Sequence, residues 1–131
     1  MSGISMLITE DWADKSVAWR EEHLQAAIVQ MLKRAGIEFH ADMGGMATKR
    51  STAAKAQHLG LVAGVPDLHV YLPGRYVQIE LKCGARVSKD QAARIARRRA
   101  LGFEVHVVKG ATPAAAVAAV ERILKDPHSG E

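Results

Sequence analysis

Two strand-like runs on either side of Pro73-Gly74 constrain this chain more than any other feature. Pro-Gly is a turn dipeptide, so residues 67–72 and 76–82 predict an antiparallel hairpin. With Pro73-Gly74 at the tip, Leu72 pairs with Arg75, Tyr71 with Tyr76, and Asp67 falls opposite Glu80. Pro-Gly suits a type II turn, which splays the strands of a two-residue hairpin. A symmetric four-residue loop keeps the same register, and a bulge shifts it by one. Side chains alternate along a strand, so Gln78, Glu80 and Lys82 share one face while Val77, Ile79 and Leu81 enter the core.

Other elements gather around the hairpin. A helix is predicted from about Ser16 to Ala35, because Val17, Leu24, Ala27, Ile28, Met31, Leu32 and Ala35 form one apolar stripe. Gly36 is its natural terminator, and a short strand follows at residues 37–41. Residues 43–66 are irregular and basic, with a short helix expected at 52–59, capped by Ser51. Ser88-Lys-Asp-Gln91 reads as a capping box that opens a helix running to Leu101. Gly102 stops it, residues 103–108 alternate as a strand, and Thr112 caps a last helix with Pro113 at its first position. The apolar face of that helix is Ala116, Val117, Val120, Ile123 and Leu124. The order predicts an α/β domain with a small mixed sheet covered by helices. Its boundaries are expected at residues 16–125, after a lead-in of 1–15 and before a tail of 126–131.

The totals agree with one domain. The chain has 131 residues, 48% of them apolar, which is enough for a core. Basic residues number 18 against 14 acidic, a formal charge of +4. That excess is modest and suits polyanions without requiring one. Its distribution says more. From Lys82 to Lys109 there are eight Lys or Arg and two acids, Asp90 and Glu104. Cys83 stands alone, which excludes a disulfide framework and fits a reducing compartment. No apolar run approaches the roughly 18 residues of a membrane span, and the acidic start with Glu10, Asp11 and Asp14 does not read as a signal peptide. A cytoplasmic, non-membrane protein is expected, with no organic cofactor.

Directly opposed strand residues have Cβ atoms about 4.5–5.5 Å apart. Two carboxylates that close repel each other, and a bridging divalent cation is the simplest remedy. Hard oxygen ligands favour Mg²⁺ or Mn²⁺. Lys82 adds an ammonium beside the pair, placed to orient an attacking water or to face developing negative charge. These parts suit hydrolysis of a phosphodiester.

The ordered set of residues resembles a known pattern. Pro66-Asp67, a hairpin, then Glu80-Leu-Lys82 is similar to the signature of the PD-(D/E)XK nuclease superfamily. The set Glu21 and Gln25, Ala53-Ala-Lys55 to Leu59-Gly60, Gly64-Val-Pro-Asp67, Ile79-Glu80-Leu-Lys82, Ser88-x-x-Gln91 and Gly102 resembles its VRR-Nuc (virus-type replication-repair nuclease) family, over most of the chain. The resemblance implies a restriction-endonuclease-like fold, an αβββαβ core with a C-terminal helix. It implies metal held by Asp67, Glu80 and the Leu81 carbonyl, with Lys82 positioning water, Glu21 approaching from the first helix and Gln91 from the later one. It implies a DNA endonuclease of replication, repair or recombination acting on branched or flapped structures, and a homodimer like the small phage-type members. The family often carries asparagine after its first strand, where this chain has Ala41-Asp42-Met43, and no role is assigned there. A non-catalytic DNA-binding module, or a junction resolvase or restriction-type cutter, remains an alternative reading.

Each candidate also has a plainer explanation. Glu80 and Lys82 suit a solvated strand face with a weak ion pair, and Asp67 a turn cap after Pro66. Glu21 borders the apolar stripe of its helix while Glu22 faces water. The capping box alone accounts for Gln91, though both roles can coexist. Arg94 and Arg98 share the side of Gln91 and are candidate phosphate contacts, as are Lys49, Arg50 and Lys55. A solvated face is the plain reading of such runs. Cys83 reads as an incidental thiol, the histidines show no metal-ligand spacing, and Trp12 and Trp19 suit packing or a dimer contact.

Overall fold

The structure is a computed structural model that describes residues 18–42, 55, 58, 59 and 66–126. Helix α1 spans Glu21–Ala35, β1 Glu38–Ala41, β2 Leu68–Leu72, β3 Arg75–Lys82, α2 Lys89–Ala100, β4 Glu104–Lys109 and α3 Pro113–Lys125. The strands form one mixed sheet in the order β1-β2-β3-β4. β1 with β2 and β2 with β3 are antiparallel, and β3 with β4 is parallel across the α2 connection.

The hairpin keeps the expected register. Leu72 pairs with Arg75, Tyr71 with Tyr76 and Leu68 with Ile79. Gly74 has φ +67°. Proline cannot take a positive φ, so Pro73-Gly74 forms the type II geometry in two residues, and neither the longer loop nor the bulge occurs.

The first helix begins at Glu21, not at Ser16. Residues 18–20 are not helical, and Val17 lies outside the described residues. Arg20 is the N-cap, in extended backbone, and its N–H donates to His23 Nδ1 at 2.9 Å. At the other end Gly36 takes φ 69°, its N–H donates to the Lys33 carbonyl, and the Ile37 N–H reaches back to Leu32. That Schellman closure uses Ile37 in the helix end, so β1 starts one residue later than expected. Of the short helix expected at 52–59, Lys55 and His58 are helical and the Leu59 N–H donates to the Lys55 carbonyl. Its Ser51 cap, like Trp12 and the lead-in 1–15, lies outside the described residues.

One face of the sheet carries the main core. Leu24, Ile28 and Leu32, one helical stripe of α1, pack with Leu68, Val70, Val77, Ile79 and Leu81 and with Ala116 and Val120 of α3. Val117, Ile123 and Leu124 pack at its margin. Each large aliphatic side chain buried there contributes about 1.5–3 kcal/mol. Arg75 ties the far end of β3 to this layer. It forms a two-pronged pair with Glu104 at 2.9 and 2.7 Å and donates to the carbonyls of Ile123, Leu124 and Asp126, closing the C-terminus of α3. α2 covers the opposite face with its one buried residue, Ile95. Among the described residues, no helix is long and apolar enough to cross a membrane.

Candidate active site

The α2 face of the sheet holds the residues singled out for chemistry. Continuing the ladder one step past Leu68–Ile79 sets Asp67 against Glu80. Asp67 precedes β2, and its Oδ2 accepts the Leu81 N–H at 2.7 Å, substituting for a ladder bond where the partner strand has ended. On the β4 side, the Lys82 carbonyl accepts from the Gly110 N–H. Backbone groups of successive strand residues alternate edges, so the Leu81 carbonyl leaves β3 on the side of Asp67.

Glu80 and Lys82 do not lie on a solvated face. They are 2% and 7% exposed, because α2 closes over their side of the strand. Lys82 Nζ stands 3.6 Å from Glu80 Oε2. Gln91 completes the expected capping box with one amide atom and reaches Glu80 with the other. Its Oε1 accepts the Ser88 N–H at 3.0 Å while Ser88 Oγ accepts the Gln91 N–H at 3.1 Å. Its Nε2 donates to Glu80 Oε2 at 2.9 Å. The helix cap therefore aims the amide at the carboxylate.

The electrostatics follow from burial of like charges. Burial and the neighbouring Asp67 push the Glu80 carboxyl up to about 7, with Lys82 offsetting part of the rise. Burial also raises Asp67, against the lowering effect of the Leu81 N–H. Glu21 is half-buried, and its negative charge raises both groups, so the first helix does deliver a carboxylate to this neighbourhood. Glu22 is exposed. Among the described residues, no three acidic, histidine or cysteine side chains converge into a complete metal-ligand cluster. The donor set instead fits a cation that keeps several waters and binds through one or two carboxylates, as Mg²⁺ does.

The arginines of α2 divide. Arg98 is half-buried and donates to the Gln78 side-chain carbonyl, so the solvated-face reading fails for it. Arg99 donates twice to the Val105 carbonyl on the edge strand. Arg94 is exposed, as is Lys55, while Lys49 and Arg50 lie outside the described residues. Cys83 is half-buried and its thiol donates to the Trp19 carbonyl, in keeping with an incidental thiol.

Two features escaped the sequence. The Asp42 N–H donates to the Asp67 carbonyl, and the Asp42 charge adds to the rise at Asp67. Beside them His40 stacks on His69 at 4.5 Å and Tyr71 on Tyr76 at 5.1 Å. His69 Nδ1 also bonds the Tyr76 hydroxyl, and Tyr71 bonds His40. The Asp42 bond and the His40 contacts depend on how β1 registers against β2, which no turn motif announces across the long segment between them; the Tyr71–Tyr76 and His69–Tyr76 contacts follow from the hairpin register.

No protein-family model matches the sequence, and no curated protein does. Solved structures do match. One, described as a "VRR_NUC domain protein", aligns with 83% of this chain and 91% of its own at TM-score 0.64 and 20% identity. Another, described as a "VRR_NUC domain", aligns with 81% of this chain and 99% of its own at TM-score 0.55 and 21% identity. At such identities the likeness establishes the fold: a small α/β domain of the VRR_NUC type, as the residue pattern implied.

Proposed function

We propose that this chain, folded as a VRR_NUC domain, belongs to the VRR-Nuc family and is a divalent-metal-dependent DNA endonuclease. One observation carries the reading: a carboxylate buried beside a second carboxylate, with a buried lysine at 3.6 Å and an amide donor at 2.9 Å. Uncompensated, that pair destabilises the fold. A purely structural site has no need of it.

Asp67, Glu80 and the Leu81 carbonyl are the residues that would hold Mg²⁺ or Mn²⁺, with Glu21 as a further carboxylate nearby. A cation held there neutralises the carboxylates and the substrate phosphate and lowers the pKa of water. The protein's own part is positional. Gln91 fixes one Glu80 oxygen from the helix cap. Lys82, held by Glu80, presents its ammonium to the attacking water or to the negative charge that grows on phosphorus-bound oxygens. Water adds to phosphorus and one ester oxygen leaves, giving a hydroxyl end and a phosphate end. Arg94 and Arg98, with Lys49, Arg50 and Lys55, supply contacts to the backbone phosphates, which position DNA without reading its sequence. Selectivity then comes from shape, in branched, flapped or junction DNA. Cutting two strands symmetrically favours a homodimer. Sedimentation at twice the 14.2 kDa chain mass supports that assembly, and a fully active monomer excludes it.

The test is incubation of the chain with linear, nicked, flapped and four-way DNA in Mg²⁺, Mn²⁺ or EDTA. Cutting that needs metal and favours a discontinuous structure is expected. Binding that is equally tight in EDTA, with no cutting in either metal, would make the chain a DNA-binding module.

A further inference from the structure

The wall that carries the carboxylates continues into a cleft. The contacts that β3 makes with α2 and the turn after it follow one another along the strand: Gln91 on Glu80, then Arg98 on Gln78, then Phe103 beside Tyr76. Two residues along a strand cover about 7 Å, so each contact is one short step from the next. The cleft lies at the last steps, with about 380 Å³ of room, among Tyr76, Gln78, Arg94, Arg97, Arg98, Leu101 and Phe103. That volume is in the usual range for a ligand site.

Its surface joins two chemistries. Phe103 and Leu101 stay 47% and 65% exposed, which is apolar area left in water. The Phe103 ring stands at 81° to the Tyr76 ring with centroids 6.2 Å apart, so the two make a right-angled aromatic corner. The corner is built in by the end of α2. Gly102 takes φ 96°, and the Phe103 N–H donates to the Arg98 carbonyl, which folds Phe103 back beside the arginines. Among the described residues, no acid pairs with Arg94, Arg97 or Arg98.

A flat apolar group that carries negative charge complements this surface. A nucleotide in a duplex offers only its phosphates, because its base faces are already stacked. An unpaired nucleotide offers both. We propose that the cleft binds an unpaired nucleotide of the DNA strand, its base against Phe103 and its phosphate among Arg94 and Arg97. The proposal rests on the nuclease reading of the adjacent carboxylates and narrows it: the favoured substrate has an unpaired nucleotide next to the bond that is cut.

Binding without metal separates the two readings. The full chain in EDTA is titrated into fluorescently labelled oligothymidylate, a duplex of equal length, and a single strand with abasic sites in place of bases. The expected result is a preference for oligothymidylate over the abasic strand of about five- to 150-fold per stacked base. Phe103→Ala should erase that preference and Phe103→Trp restore it, with circular dichroism confirming that both variants fold. Arg97→Ala should weaken binding to all three and flatten its salt dependence. Equal affinity of the wild type for thymidylate and abasic strands, or a Phe103→Ala variant indistinguishable from wild type, overturns the proposal. A chain that shows the preference yet cuts nothing with metal overturns the nuclease reading alone.

Discussion

Replacing Glu80 by glutamine should stabilise the metal-free protein at pH 8 and leave it nearly unchanged at pH 5. Burial and the Asp67 charge raise the Glu80 carboxyl from 4.5 to about 7 in the folded chain, while unfolding returns it to its ordinary value. Between those pH values the folded state keeps a proton that the unfolded state has released. Stability therefore falls as pH rises through that window, and the loss is complete above the folded value. At about 1.4 kcal/mol per pH unit the loss is roughly 3 kcal/mol. Glutamine keeps the shape and still accepts from Gln91, but it never ionises. The gain at pH 8 should be ~2–3 kcal/mol, reduced slightly by the lost Lys82 pair, or about 10 °C in Tm for a domain of this size. Thermal denaturation in EDTA between pH 5 and 8 reads it directly. Adding Mn²⁺ at pH 8 should then stabilise wild type more than the variant, which lacks one ligand. Parallel pH profiles for the two proteins, or a variant less stable than wild type at pH 8, would refute the argument.

Other perturbations follow from single contacts. Arg75→Met removes the Glu104 pair and three carbonyl contacts at the end of α3, and should cost about 1–3 kcal/mol in urea denaturation; an unchanged midpoint counts against that clamp. Gln91→Ala removes the reciprocal half of the capping box and the Glu80 donor, leaving the Ser88 Oγ cap on the residue-91 N–H in place. It should cost about 1 kcal/mol in stability and about 10- to 100-fold in metal affinity or cutting, read by calorimetry with Mn²⁺ and by cleavage rate; a loss of stability alone would reduce Gln91 to a cap.

The parts of the site that could be read in advance were those set by local chemistry. Pro73-Gly74 pins the hairpin, and the hairpin brings Asp67 to Glu80. Ser88 and Gln91 announce their own cap, and the cap aims the amide. What the sequence left dark came from elements packing over one another. Alternation along β3 puts Gln78, Glu80 and Lys82 on one face without saying what covers it; α2 lies across it and buries all three. Arg98 is a candidate phosphate contact with a solvated face as its plain reading, and its bond to Gln78 comes only with the packing of α2 on β3. Asp42 and the contacts of His40 with His69 and Tyr71 need the β1–β2 register, which is set by burial of Phe39 and Ala41 against the core rather than by a turn. The start of α1 was misplaced because an apolar stripe does not mark where a helix begins; the bond from Arg20 to His23 does.

The central claim is that Asp67, Glu80 and Lys82 act together on a phosphodiester. Cleavage of the best DNA substrate in Mg²⁺ or Mn²⁺ by wild type, Asp67→Ala and Lys82→Ala, all shown to be folded, tests it most directly. Metal-dependent cutting by wild type, reduced at least about 100-fold in both variants, is the expected result. Cutting that survives in either variant at the wild-type rate would contradict it.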